Sequence, residues 1–435
     1  MTTIEAIDWA AVQAEALEIL RAYIRIDTTN PPGKETAAAR YLGGLLEAAG
    51  IATEYIEIQP EREALVARLP GDGSKRPLML GNHTDVVPVE PDYWTKPPFE
   101  GVVEDGRIYG RGAMDMKSCG VMQLITVLLL KRRGVALKRD VVFLAAPDEE
   151  AGSTFGMAWL CEHRPDVVDV EFALNEGSSG RVTSGRTVFT VATNEKFGAG
   201  LRLTSIGEPG HGSFVHEDNS MVRLARALVR LDEWDRGVTF TDDTRAYVAR
   251  LAEAGVMQGG DEAAVSAAIR ERRGLLAMFM NTLNVTMVNA GVKQNVLPAR
   301  SEALLDCRLL PGQDPEAWRR AVEGVVDDPR ITVEFIAGRT PVAQPSTEWD
   351  TPLFAAIEAS VHAVMEDAVV TPTMTIGATD NRFLRARGVT AYGFIPAIFS
   401  TEENRTFHGN DEFITVENLN LGCELTYDIV RRLCT

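Results

Sequence analysis

Leu78-Met79-Leu80-Gly81-Asn82-His83-Thr84-Asp85 carries an apolar run straight into an imidazole and a carboxylate. Two further runs behave alike. Val141-Val142-Phe143-Leu144 leads to Asp148-Glu149-Glu150, and Val170 to Leu174, broken only by Glu171, leads to Asn175-Glu176-Gly177. Continuous apolar runs of this length suit strands buried on both faces of a parallel sheet. Open α/β sheets gather their sites beyond the carboxyl ends of the strands. The three runs therefore predict one site assembled from separate segments, each strand ending where its ligand-type residues begin.

Around these runs the pattern alternates between strands and helices, which is α/β behaviour. Residues 9 to 24 read as an amphipathic helix with Val12, Ala16, Ile19, Leu20 and Tyr23 near the 3.6 period. Thr28-Thr29-Asn30-Pro31-Pro32-Gly33 breaks the chain before a second helix at about 35 to 49. The helix after Lys117 is apolar nearly all round and is expected to be buried. It stops at Lys131-Arg132-Arg133-Gly134, cations followed by a glycine. Near residue 193 the character changes. Residues 198 to 206 alternate like a half-exposed strand, a helix starts at about Asn219, and 243 to 274 is Ala-rich, charged and helix-like. Strand-like runs follow at Leu283 to Val288, Glu302 to Leu310 and Ile331 to Ile336, before helix 351 to 365 and strand Ala391-Tyr392-Gly393-Phe394 resume the first pattern. The expectation is a mainly parallel α/β sheet with flanking helices, residues 1–192 and 341–435, interrupted by an α+β domain at 193–340.

A chain of 435 residues exceeds one ordinary core, consistent with two domains. Its net charge of -18 argues against nucleic acid as a partner, since phosphate binding needs a positive field. The longest apolar stretch, Val121 to Leu130, contains Gln123 and is too short to span a bilayer, so no membrane partner is expected. The first residues lack the basic start and apolar core of a signal peptide. The five cysteines form no Cys-x-x-Cys pair and read as buried reduced thiols, and the expected compartment is the cytoplasm.

Imidazole and carboxylate together suit a divalent metal, and a catalytic site keeps one position open for water. Asp85, two residues after His83, can orient the His83 ring. Gly110-Arg111-Gly112-Ala113-Met114-Asp115-Met116-Lys117 places Asp115 just before the buried helix, where its carboxylate can bridge two ions. Of the adjacent acids Asp148-Glu149-Glu150, one can ligate metal while a neighbour takes a proton from water. Glu176 and His408 complete the candidate ligands. His163 and His362 read as surface or packing residues, while His216, just past Gly210-His211-Gly212-Ser213, stays open.

These motifs together resemble metallopeptidase family M20, the aminoacylase-1, carboxypeptidase and acetylornithine deacetylase group. They are His83-Thr84-Asp85-Val86-Val87-Pro88, Trp94 with Pro97-Pro98-Phe99, the Asp115 segment, Asp148-Glu149-Glu150-Ala151-Gly152, Asn175-Glu176-Gly177 and His408-Gly409. The resemblance implies a zinc-peptidase-like catalytic domain and a lid that can dimerise. It implies that His83, Asp115 and Glu176 hold one metal ion and that Asp115, Glu150 and His408 hold the other, most simply Zn²⁺, with Co²⁺ or Mn²⁺ as alternatives. It makes Glu149 the general base and His211 an oxyanion stabiliser, often acting across a homodimer, with Asp85 kept among the catalytic residues as the partner that orients His83. Asn295, Arg308, Thr379 and Arg382 are implied to contact substrate, the arginines gripping a carboxylate. The His211 motif and Gly377-Ala378-Thr379-Asp380-Asn381-Arg382 look most like aminoacylase-1, Asn175-Glu176-Gly177 departs from the Gly-Glu-Pro of acetylornithine and succinyl-diaminopimelate deacylases, and His408-Gly409-Asn410-Asp411-Glu412 is closer to the family's carboxypeptidases. The expected activity is therefore hydrolysis of an N-acyl amino acid. Dipeptidase or carboxypeptidase action is the alternative, and a non-catalytic binding relative is disfavoured because neither base nor ligand is missing.

Overall fold

The computed structural model describes residues 7–337 and 341–435. Its larger sheet has eight strands, in the spatial order Thr53–Gln59, Arg62–Leu69, Val141–Ala146, Leu78–His83, Phe172–Thr183, Thr390–Ile398, Arg186–Glu195, Val369–Thr375. The centre is parallel, with Leu78 opposite both Val141 and Phe172, and Thr390 opposite Phe172. Antiparallel pairs extend it at Thr53–Gln59 and Arg62–Leu69 and in the hairpin joining Phe172–Thr183 to Arg186–Glu195. The sheet is thus mixed and mainly parallel at the site.

Alternating side chains enter opposite layers, as the two-residue strand period requires. Leu78 and Leu80 pack with helices Trp9–Ile24, Lys117–Arg132, Pro352–Val364 and Val416–Cys434. Met79 packs the other way, with Met157, Leu160 and Leu384. Helix Trp9–Ile24 buries Val12, Ala16, Ile19, Leu20 and Tyr23, the expected stripe. Helix Lys117–Arg132 is buried continuously from Lys117 to Leu130 and ends before Gly134, whose φ is 57°. No helix among the described residues is long and apolar enough to cross a membrane.

A second, antiparallel sheet runs in the order Thr282–Ala290, Arg300–Leu309, Leu201–Ile206, Ile331–Phe335. Helices Ser220–Glu233 and Pro315–Val326 cover it through Leu224, Leu231, Trp318 and Val322, giving it its own core. Asn219 caps the first of these helices, its side chain accepting from Met221 N and Val222 N. The chain passes between the sheets at Lys196. That side chain is buried, donates to the Ala277 and Met280 carbonyls at 3.1 and 2.9 Å, and has its pKa pushed down to about 7 by burial. We propose the two cores as separate domains; the expected return at 340 lies outside the described residues.

Two expectations change. The third apolar run does not stop at Leu174: its strand continues through Glu176 to Thr183. Gly177 meets Gly393 there so closely that a Cβ on it would sit 2.8 Å from the Gly393 Cα, and the pairing register shifts at Gly393. The bend produced by this glycine contact presents Glu176, so a strand interior does the work expected of a strand end. The helical stretch 243–274 forms three helices, Asp242–Glu253, Glu262–Arg270 and Arg273–Leu276. Their apolar faces pack against Val188 and Val369 at the edge of the larger sheet, because that otherwise bare edge needs covering.

Candidate metal centre

His83 is the last residue of its strand and is buried. Its Nδ1 lies 3.0 Å from the Asp85 backbone carbonyl and its Nε2 lies 3.1 Å from Asp115 Oδ1 and 3.6 Å from Glu176 Oε1. On the other side of Asp115, Oδ2 is 2.8 Å from His408 Nε2, which is 3.4 Å from Glu150 Oε1. Two sets of ligand atoms result, His83, Asp115 and Glu176, and Asp115, Glu150 and His408. Within each set the atoms lie within 4.8 Å of one another. Asp115 belongs to both, as a bridging carboxylate would.

The electrostatics suit cations. Burial, reinforced by the Asp115 carboxylate, pushes Glu176 up to about 8. Asp115 itself is lowered: burial opposes its charge, but hydrogen bonds from His408 and His83 prevail. The Asp115 and Glu150 carboxylates push His408 up to about 10. Burial works against a charge on His83, yet Glu176, Asp115 and Asp85 raise its pKa well above the usual value. The raised pKa values of Glu176, His83 and His408 mark negative charge crowded at this site, which is the charge that divalent cations would neutralise. Imidazole nitrogens and carboxylate oxygens are also the donor set zinc accepts. The residues therefore fit a two-ion site.

Each ligand loop is fixed from behind. Asp148, at φ 71°, turns the chain after strand Val141–Ala146. Its carboxylate accepts from Arg62, from Asn30 Nδ2 at 3.0 Å and from Phe155 N at 2.8 Å. Asp85 accepts from Glu149 N at 3.0 Å, Glu150 N at 3.1 Å and Asn30 Nδ2 at 2.8 Å. The carboxylate of Asp85 therefore holds the Glu149-Glu150 turn, with its Oδ1 3.5 Å from His83 Nδ1, while its backbone carbonyl orients the His83 ring. Glu149 stands in this turn outside both ligand sets, its pKa raised well above the carboxylate range by burial and by Glu176.

Glu412 fixes the Asp115 loop. It is fully buried and accepts from Arg111 Nη1 at 2.5 Å, Gly112 N at 3.2 Å, Met114 N at 2.8 Å and Asp115 N at 3.1 Å. Phe413–Thr415 pairs with Arg107–Tyr109, so the segments carrying His408 and Asp115 are tied into one small sheet. Glu412→Ala leaves Arg111 buried without its partner and should lower unfolding stability by ~3–5 kcal/mol, read by denaturant titration. Asp148 was one of the three adjacent acids read as ligand or base, and here it holds the turn instead; Asn30, Arg62 and Glu412 were not singled out in the sequence. Glu412 alone left a trace, lying in the same segment as His408.

The remaining predicted residues lie in two other places. His211 and Asn295 are neighbours on the second sheet's side, where His211 opposes Val296 in a short ladder and Asn295 Nδ2 is 3.5 Å from His211 Nε2. His211 is exposed and contacts Ser213 Oγ at 2.8 Å. Among the described residues, no hydrogen bond or ion pair joins it to the metal-type ligands. His216 Nε2 contacts the His211 carbonyl at 2.9 Å, so it braces that turn. Arg308 and Arg382 line one cavity of about 320 Å³. Arg382 donates to the Gly152 carbonyl at 3.3 Å, which places it beside the Glu149 turn. Thr379 is buried and engaged on both sides: its N and Oγ1 donate to Glu195 Oε2 at 3.0 and 2.9 Å, and its Oγ1 accepts from Asn381 N at 3.2 Å. It sets the loop that carries Arg382. His163 is exposed, stacked on Trp159, and His362 contacts the Ala368 carbonyl at 3.0 Å.

The profile of peptidase family M20/M25/M40 matches residues 79–432. Aminoacylase-1 of Sus scrofa is 31% identical over 389 residues, a match covering 88% of this chain and 86% of that protein. In fold the chain is similar to the M20 family metallo-carboxypeptidase Sso-CP2 of Sulfolobus solfataricus, with a TM-score of 0.70 at 21% identity over 96% of this chain and 99% of that one. It is also similar to the YXEP protein of Bacillus subtilis, a dinuclear metal binding peptidase of family M20. There the TM-score is 0.61 at 15% identity, over 97% and 98% of the two chains. The matched segment contains every residue of both ligand sets and Glu149. The chain belongs to peptidase family M20/M25/M40 and is a hydrolase of that family.

Proposed function

We propose that this protein hydrolyses N-acyl amino acids, cleaving an amide whose nitrogen belongs to an amino acid with a free carboxylate. The observation that carries the proposal is the pair of ligand sets sharing Asp115, with Glu149 in the adjoining turn outside both. The similarity to aminoacylase-1 supports the acyl amino acid as substrate class. Two divalent cations, zinc by preference and cobalt or manganese as substitutes, would supply Lewis acidity toward the amide carbonyl and a lowered pKa for water. Glu149 accepts the proton of the attacking water and returns it to the departing amine nitrogen. Arg308 and Arg382 bind the substrate carboxylate, and Asn295 adds a polar contact from the turn beside His211.

His211 is assigned to the developing oxyanion. Its exposed position on the second domain suits delivery by domain closure, or by a second copy of the chain. The strand Thr282–Ala290 is an edge of its sheet and exposes Val285, Met287 and Val288, which supports a homodimer formed there. His211→Ala should lower kcat by about 10²–10³-fold, the usual effect of removing one oxyanion donor, with bound metal unchanged by elemental analysis. Loss of metal in that variant would remove His211 from this role. Comparing N-acetyl amino acids with dipeptides in zinc, cobalt and manganese tests the proposal. Turnover of dipeptides alone would assign the protein to the dipeptidases of the family instead.

A further inference from the structure

Among the described residues no hydrogen bond holds the Glu149 carboxylate, so its place is set by the turn that carries it. That turn closes on itself, because Ser153 N donates to the Asp148 carbonyl at 2.6 Å. Asp85 holds one side of it through the Glu149 and Glu150 amides. The far end is Gly152 at φ 101° and Ser153 at φ 63°. A serine in the left-handed region persists only where its surroundings hold it there. Ser153 is fully buried, and its Oγ donates to Asp380 Oδ1. The neighbouring Gly152 carbonyl accepts from Arg382 Nη2 at 3.3 Å. Two bonds therefore join the turn that carries Glu149 to the loop that carries Arg382.

Asp380 is a firm anchor for that end. It is buried, and both of its neighbours are tied down: Thr379 to Glu195, and Asn381 through its N to Thr379 Oγ1 at 3.2 Å and through its Nδ2 to the Glu176 carbonyl at 3.3 Å. We propose that Asp380 is a positioning residue for Glu149: acting through Ser153, it fixes the far end of the turn and ties the placement of the base to the loop that grips the substrate carboxylate. The inference rests on the reading of Glu149 as the base. Asp380 and Glu149 also feel each other's charge, since burial and Glu176 raise the Glu149 pKa and Asp380 adds to them. Bond and charge are separable, because Asp380→Asn keeps the acceptor for Ser153 and removes the charge.

The test is a double-mutant cycle on the metal-loaded protein, with kcat and KM read on whichever of N-acetyl-L-tyrosine and Ala-Tyr it hydrolyses. Asp380→Ala and Ser153→Ala should each lower kcat by about 10–10²-fold, the effect of a small misplacement, with KM and bound metal near wild-type values. Both variants remove the same bond, so the double variant should be no slower than the slower single. Asp380→Asn should keep most of the wild-type kcat. In a Glu149→Gln background Asp380→Ala should lower kcat no further. Losses that add in the double variant, a change confined to KM, or an Asp380→Asn as slow as Asp380→Ala would each overturn the positioning role and leave Glu149 as the base. Where Asp380→Ala does not fold, Ser153→Ala in the wild-type and Glu149→Gln backgrounds decides. A kcat loss in the first alone is the expected result, and equal losses in both overturn it. Wild-type kcat in Glu149→Gln itself overturns the base reading, and this inference with it.

Discussion

Glu149→Gln is expected to lower kcat by about 10²–10⁴-fold, the range that positioned general acid–base groups contribute. Glutamine keeps the shape of the side chain but cannot take a proton from water. The backbone of the turn is held independently of that side chain, because Glu149 N and Glu150 N both donate to Asp85. Glu149 is also outside both ligand sets, so metal content should match the wild-type protein. Single-turnover kinetics beside elemental analysis read the two quantities together. Wild-type turnover in Glu149→Gln would remove Glu149 from the role of base, and an emptied metal site would make it a ligand.

Asp115→Ala is expected to have the widest effect. Its two carboxylate oxygens face His83 on one side and His408 on the other, and it is the residue common to both ligand sets. Removing it takes one ligand from each ion and the charge that offsets both. The expected result is less than one ion per chain and turnover below detection. Glu150→Ala removes a ligand from a single set and should spare the ion at His83 and Glu176. Equal metal loss in the two variants would contradict a bridging role for Asp115.

The parts of the site legible in the sequence were those carried by local pattern. The apolar runs at Leu78 and Val141 located two central strands because burial on both faces leaves no room for alternation. Helix Lys117–Arg132 was legible for the same reason. Glu176 was found by its motif, although its strand does not end there, since a Gly177–Gly393 contact between distant segments makes the bend. Arg62, Glu195 and Glu412 escaped notice because their partners lie far along the chain. Arg62 meets Asp148, Glu195 meets Thr379, and Glu412 meets the Asp115 loop, none of which leaves a spacing to read. Helices in 242–276 were legible as helices, but their seat on the larger sheet's edge depends on Val188 and Val369, which only the fold brings near.

The account stands most directly on one comparison, the initial rates of zinc-loaded protein with N-acetyl-L-tyrosine and with N-acetyl-L-tyrosine amide. The two compounds share the scissile amide and side chain and differ in the free carboxylate assigned to Arg308 and Arg382. Hydrolysis of the acid, with the amide at least ~10²-fold slower as expected for loss of a charge-assisted bidentate contact, is the predicted result. Equal rates for the two, or hydrolysis of neither, would contradict it.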